Sequence, residues 1–107
     1  MLSGREENQR CVARVEISNS LVTINGEGSG PIEAFVNAMA DTLNEPIVVL
    51  DYREHSLGTG TDAQAICVLA IEDNVNKKRF YGLGLSRNTI TASLSAIVSA
   101  LNRRWNA

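Results

Sequence analysis

An internal repeat constrains the fold of this chain more than any other feature of its sequence. Apolar residues recur 58 positions apart, in the pairs Ile32 and Ile90, Ala34 and Ala92, Val36 and Leu94, Ala38 and Ala96, and Met39 and Ile97. A Gly-x-Gly step follows a β-like run before each set, at Gly26 to Gly28 and at Gly82 to Gly84. The repeated unit is therefore predicted to be strand, glycine turn and helix. Two copies are too few for a solenoid, so the repeat favours a pseudo-symmetric single domain with two equivalent helix starts.

The order of elements predicts an α+β fold with ββα in the first half and βββα in the second. Strands are predicted at 11–17, 21–25, 47–52, 63–72 and 79–85 from alternation and β-branched content. Helices are predicted from Pro31 and after a cap at Ser86 or Asn88. The natural architecture is an antiparallel sheet with two helices on one face, related by a pseudo-two-fold axis.

The first half is one strand short of the second. We expect residues 1–10 to be a mobile or truncated start, with the missing strand supplied by a longer parent protein, and residues 11–107 to form one domain.

Composition excludes several classes of protein. The chain has 107 residues and a formal net charge of −2, which argues against a nucleic-acid-binding face. It contains no apolar run long enough to span a membrane and no signal peptide, so a cytoplasmic location is predicted. Cys11 and Cys67 have no close Cys or His at metal-ligand spacing, which favours two buried free thiols over a disulfide.

Three features could carry chemistry, and each also has a plain structural explanation. Asp51, Glu54 and His55 could perform acid–base work, but alternation in a strand places Glu54 on the opposite face from the other two. Solvated charges at a strand end are the favoured interpretation. The glycine-rich turn 26–31 could present amides and a helix N-terminus to an anion, or could be a simple turn. The loop 58–62 could close over a ligand or merely connect two strands.

Three segments resemble one family, and they occur in the family's order. They read GEGSGPIEAFVNAM, VLDYREHSLGTGTDAQA and YGLGLSRNTITASLSAIVSALNR. Together they resemble the C-terminal regulatory domain of 2-isopropylmalate synthase, over nearly the whole chain. The resemblance implies a duplicated strand-and-helix domain that dimerises and binds leucine. It also implies that leucine lowers the activity of a separate catalytic barrel, absent here, which condenses acetyl-CoA with 2-oxoisovalerate.

The resemblance implies a ligand site built around the two helix starts. Backbone amides near Gly28 to Gly30 and near Thr89 to Ile90 are expected to take the amino-acid carboxylate. The side chain would lie against Ile32, Val49 and Tyr52, with Ser56 to Ala63 as an adjustable lid. The ammonium group would be received by carbonyl oxygens or by Asp62.

The family pattern differs at a few of these positions, and other functions stay open. Ser29, Thr89 and Ser56 stand where many members carry Asn, Ile and Ala. The similar domain of citramalate synthase, which answers to isoleucine, is the nearest alternative. A ligand-free dimerisation module, a free-standing amino-acid sensor and a small enzyme are further alternatives.

The expected partners are L-leucine or another branched-chain amino acid, a second copy of the chain and the parent's catalytic domain. No catalysis, cofactor or metal is expected in this chain, whereas the parent's catalytic domain is expected to use a divalent metal and acetyl-CoA.

Overall fold

A computed structural model describes residues 8–17, 19–58, 60, 63–73 and 76–105. The chain divides into two compact units, Met1–Pro46 and Ile47–Ala107. The order of elements is ββα in the first unit and βββα in the second, which confirms the predicted α+β fold class.

The first unit is a hairpin with one helix packed on it. Strand β1 (Gln9–Ile17) pairs antiparallel with β2 (Ser20–Gly28). Asn19 turns the chain between them with a φ of 67°, a left-handed conformation that Asn tolerates well. Helix α1 (Pro31–Leu43) follows, and its buried side chains are Ala34, Phe35, Ala38 and Met39. The helix ends at Asn44, which is left-handed, before Pro46 is reached.

The second unit is a three-stranded antiparallel sheet with one helix. Its strands β3 (Val48–Leu57), β4 (Gln64–Glu72) and β5 (Arg79–Ser86) are hydrogen-bonded in that order. Helix α2 (Thr89–Trp105) packs on β5 and β4, with Arg103 and Arg104 in its last turn. Strand β3 lies at the sheet edge, and most of its side chains are exposed.

The predicted glycine turns are wrong in their location, because both Gly-x-Gly steps lie inside strands. Gly26 and Gly28 belong to β2, and Gly82 and Gly84 belong to β5. Their role is close helix packing: a Cβ at Gly26 would lie 2.5 Å from Ala34 O and 2.6 Å from Ala38 N. The missing side chain lets the helix backbone approach the strand, as helix–sheet packing at a glycine requires.

Two further differences concern the sheet and its boundaries. Hydrogen bonds join the strands into two sheets, of two and three strands, where one sheet was expected. The reason is that sequential strands pair within each repeat. Strand β3 also continues through 53–57, beyond the predicted end at Tyr52, so Ser56 lies in a strand and not in a loop. The pseudo-two-fold relation stays a prediction. Within the described residues, no helix is both long and apolar enough to cross a membrane.

Candidate functional site

The start of α1 is partly closed by the protein's own carboxylate. Glu33 Oε1 accepts a hydrogen bond from the Ser29 amide at 2.5 Å, and this bond lowers the pKa of Glu33. The first intrahelical bond runs from the Ala34 amide to Gly30 O at 2.9 Å. Pro31 has no N–H, so the amides of Ile32 and Glu33 are the donors of this turn that lack an intrahelical acceptor. These two amides could bind an anion.

The two glycines predicted at this helix start have different roles. Gly28 is buried against α1, and a Cβ there would lie 2.7 Å from Ala34 N. Gly30 is the N-cap residue of α1, and a Cβ built on it meets no atom within 4 Å. Its φ of −153° is extended backbone that any residue can adopt. Gly30 therefore borders open space that a ligand could occupy, whereas Gly28 serves packing.

The start of α2 is capped by neutral side chains. Asn88 Oδ1 accepts a hydrogen bond from the Thr91 amide at 3.0 Å, which makes Asn88 the N-cap residue. Ser86, the other predicted cap, supports it, because its Oγ accepts from the Asn88 amide at 3.1 Å. Thr89 and Ile90 occupy the first helical positions and are exposed. Their amides precede the first intrahelical donor, Ala92, and could also bind an anion.

A β-bulge brings three predicted wall and lid residues to one face of β3. The register on β4 shifts between Val49 and Asp51, so Val49 pairs with Ile71 and Tyr52 with Leu69. Cross-strand partners share a face, and Ile71 and Leu69 both lie on the buried face of β4. In an unbulged strand, residues three apart would point to opposite faces. Ser56, paired with Ala65, continues the same face toward the end of the strand.

Tyr52 is joined to the first turns of α2 through a buried serine. Its hydroxyl lies 2.6 Å from Ser93 Oγ, and Ser93 Oγ donates to Thr89 O at 3.1 Å. Either hydroxyl can be the donor of the Tyr52–Ser93 bond, because the Tyr52 hydroxyl can also donate to Glu54 Oε2, 3.3 Å away. Burial raises the pKa of Tyr52, opposed by the Ser93 hydrogen bond, and burial likewise raises the pKa of the neighbouring Cys67 thiol. The tyrosine ring is thereby held beside the start of α2.

The sequence analysis does not predict Ser93 as a site residue, although its position in an apolar stripe is a signal that could have identified it. It is fully buried on α2, beside Ala92, Ala96 and Ile97 in the apolar stripe. A buried serine in an apolar stripe needs a hydrogen-bond partner. Here the partner side chain is Tyr52, on β3, 41 residues earlier in the chain. Sequence spacing could have flagged Ser93 but could not have named Tyr52.

The remaining predicted residues are distributed as follows. Gly28, Gly30 and Ile32 belong to the first unit, whereas Val49, Tyr52, Ser56, Ala63, Thr89 and Ile90 belong to the second. Ala63 donates its amide to Gly60 O at 3.3 Å, and Gly58 and Gly60 have positive φ. Asp62 lies outside the described residues. A hollow at the end of α1, lined by Ala40, Asp41, Asn44, Glu45 and Pro46, contains none of the predicted site residues.

The acid–base alternative gains no support from the geometry of β3. Asp51, Arg53 and His55 pair with Ala70, Val68 and Ile66, on the face opposite Tyr52 and Glu54, as predicted. Across the described ranges, no group of three His, Cys, Asp or Glu side chains could hold a metal ion. Cys11 and Cys67 are both free, in agreement with the favoured interpretation, although only Cys67 is fully buried.

The fold and site together define a duplicated α+β domain with two helix starts that could bind an anion. Residues 1–105 match the model of the LeuA allosteric (dimerisation) domain. The chain therefore belongs to the family of LeuA allosteric (dimerisation) domains, which confirms the resemblance found in the sequence.

Longer proteins contain a similar region. The chain is 44% identical over 101 residues to a 2-isopropylmalate synthase of Parafrankia sp. (strain EAN1pec). It is 41% identical over 100 residues to that of Brucella suis biovar 1 (strain 1330), and 43% over 91 residues to that of Mycobacterium ulcerans (strain Agy99). These matches cover 94%, 92% and 85% of this chain but only 17%, 18% and 16% of the relatives.

Proposed function

We propose that this chain is the regulatory domain of a cytoplasmic 2-isopropylmalate synthase, that it forms a homodimer and that it binds leucine as a feedback inhibitor. The observation that carries the proposal is the family match over residues 1–105. The relatives named above, all 2-isopropylmalate synthases, favour leucine over the isoleucine expected of a citramalate synthase. Residues 11–107 would act as one domain, and neither catalysis nor a cofactor is assigned to it.

The helix starts supply the groups that a carboxylate requires. The amides of Ile32 and Glu33 in the first unit, and of Thr89 and Ile90 in the second, have no intrahelical acceptors and lie at positive ends of helix dipoles. Each set could receive an anion, and Gly30 leaves space beside the first of them. Asn88 accepts from the Thr91 amide and Glu33 from the Ser29 amide, so the helix amides named above are left for a ligand.

Apolar side chains are available for the ligand's side chain. Val49 and Tyr52 share the helix-facing side of β3, and Ile32 and Ile90 lie in the first turns of α1 and α2. Full burial of a leucine side chain contributes about 1.5–3 kcal/mol. The ammonium group would be received by carbonyl oxygens or by Asp62.

Inhibition requires that leucine bind more tightly to the less active state of the whole enzyme, because coupling between two sites is a difference in binding free energy. The catalytic domain of the parent, with its divalent metal and acetyl-CoA, is the partner on which this coupling would act.

Calorimetric titration of the purified chain with L-leucine, L-isoleucine and L-valine tests the proposal. We expect saturable binding that prefers leucine. A preference for isoleucine would move the assignment to a citramalate-synthase type of specificity. No binding of any of the three by a folded chain would contradict the ligand proposal and leave a dimerisation module.

The variant Gly30→Ala locates the site. Its new methyl group meets no protein atom, so the fold should survive, but it would enter space reserved for the ligand. We expect a loss of affinity of about tenfold, or roughly 1.4 kcal/mol. Ser95→Ala, on the exposed side of α2 beyond its first turn, is the matched control and should bind leucine as the wild type does. Equal affinity in both variants would remove the start of α1 from the site.

A further inference from the structure

Each sheet has one face that its own helix does not cover, and the two faces differ in chemistry. We name the faces the first and the second open face, after the units that carry them. The first open face carries the polar residues Arg10, Arg14, Glu16, Thr23, Asn25 and Glu27, with Val12 and Leu21 among them. The second carries the apolar residues Ile66, Val68, Ala70, Tyr81, Leu83 and Leu85.

The apolar face is continuous, and its accessible part lies on β5. Tyr81, Leu83 and Leu85 follow one another along β5 on the same side, and each is 51% exposed. Their cross-strand neighbours on β4 are Ala70, which is fully buried, and Val68 and Ile66, which are half-buried. A row of exposed apolar side chains along one strand is a candidate interaction surface.

We propose that the second open face is the homodimer interface, covered by the same face of a second copy. The proposal rests on the homodimer of the proposed function and assigns that dimer to one surface. A two-fold dimer uses the same patch on both subunits, so the patch must fit itself, and an apolar sheet face does so. The first open face fits poorly, because burying its carboxylates and guanidinium groups would carry a desolvation cost.

The border of this face carries charges of both signs. Asp51, Arg53 and His55 on β3 lie on the same side as the apolar residues, beside Ala70, Val68 and Ile66. A two-fold operation brings the same border of the second copy to the interface. An acidic and a basic side chain two residues apart then allow a carboxylate of one copy to approach a guanidinium of the other. An apolar centre with a polar border is the usual anatomy of a protein interface.

Two matched leucine substitutions test the assignment. Leu83→Lys places a charge on β5 opposite Val68, at the centre of the apolar face. Leu21→Lys places the same charge on the first open face, where Leu21 is 63% exposed and pairs with Glu16. By sedimentation equilibrium we expect Leu83→Lys to raise the dimer dissociation constant about 30-fold or more, as the loss of a central interface side chain does. Leu21→Lys should change it by less than about threefold.

A dimer of unchanged affinity in folded Leu83→Lys would overturn the assignment, and so would a greater loss in Leu21→Lys. Circular dichroism verifies that each variant is folded. Should Leu83→Lys not fold, hydroxyl-radical labelling of the wild type replaces it. On dilution through the dissociation constant, oxidation of Tyr81 should rise, while that of Tyr52, on the opposite face, should stay constant. Equal behaviour of the two tyrosines would contradict the proposal.

The leucine titration separates this inference from the proposed function. A wild-type chain that binds leucine but stays monomeric at the highest concentrations would overturn the interface and leave the effector site standing. A dimer that Leu83→Lys dissociates supports the interface, whether or not leucine binds.

Discussion

The two repeats share their backbone packing and differ in their side chains. In the first, a Cβ on Gly26 would collide with Ala34 O and Ala38 N; in the second, a Cβ on Gly84 would collide with Ala92 O and Ala96 N. Gly26 and Gly84 are 58 residues apart, the same spacing as the alanines. The true equivalent of Gly26 is therefore Gly84, and not Gly82, the first glycine of the second Gly-x-Gly step.

The buried side chains of the two helices differ most clearly at one equivalent position. Phe35 and Ser93 are 58 residues apart, and both are buried. Phe35 fills its place with a ring, whereas Ser93 hydrogen-bonds the hydroxyl of Tyr52 from β3. The described part of the first unit has no counterpart of β3. A buried polar residue is thus tolerated where an additional strand supplies its hydrogen-bond partner. The glycine and alanine positions at which the helix and strand backbones meet are the same in both repeats.

The largest effect on stability is expected from adding a methyl group at a glycine that packs against a helix. Gly84→Ala would place a methyl group against the backbone oxygen of Ala92, which cannot rotate away. We expect a loss of about 3 kcal/mol in the free energy of unfolding, measured by urea denaturation, because α2 must shift from the sheet. Gly26→Ala should cost a comparable amount if the two positions are equivalent.

Gly30→Ala is the control for this pair, since it changes the same residue type in open space. It should cost less than about 1 kcal/mol, the scale of an N-cap substitution. A small loss in Gly84→Ala beside a large one in Gly26→Ala would show that the two repeats do not pack alike.

A smaller effect is expected from the hydrogen bond that the first repeat lacks. Tyr52→Phe and Ser93→Ala each remove one of the two hydroxyls that form this bond. Each should lower the free energy of unfolding by about 1 kcal/mol, and a double-mutant cycle should give a coupling of at least about 0.5 kcal/mol.

Tyr81→Phe controls for the loss of a tyrosine hydroxyl, because Tyr81 lies on the other face of the sheet. It should leave the free energy of unfolding nearly unchanged. Additive losses in the Tyr52 and Ser93 variants would mean that the two hydroxyls stabilise the fold independently.

Much of the fold could be predicted because the local signals agree with the packing. Alternation in 11–17 and helical spacing from Ile32 onward follow directly from one buried face in each element. The far half of β3 could not be predicted, since 53–56 are exposed on both faces and an edge strand of this kind shows no alternation. The Gly-x-Gly steps were wrongly predicted to be turns, because a sequence identifies a glycine but does not show which helix atoms pack against it.

The candidate site could be predicted only in part, for related reasons. Helix starts at Pro31 and Thr89 were visible from proline, serine and asparagine preferences. The bulge that turns Val49 to the side of Tyr52 was not visible, because it depends on pairing with β4. The bond between Tyr52 and Ser93 likewise depends on tertiary contact.

The smallest effect concerns how the two helices are capped. At α1 the charged Glu33 accepts from the amide of Ser29, just before the helix, whereas Asn88 caps α2 with a neutral group. The Ser29 hydrogen bond holds the pKa of Glu33 below its ordinary value of 4.5. A carboxyl with a lowered pKa stabilises the fold above its unfolded-state pKa, and this contribution is lost as the pH falls through the folded-state value. Glu33→Gln should therefore be less stable than wild type at pH 7.

That difference should narrow as the pH falls below about 4.5, as urea denaturation across pH 3 to 7 would show. Asn88→Ala should lower the free energy of unfolding by about 1 kcal/mol at every pH, because an amide does not titrate in this range. A Glu33→Gln difference that stayed constant down to pH 3 would show that the charge on Glu33 does not contribute to the stability of the fold. The two helix starts would then differ in sequence but not in electrostatics.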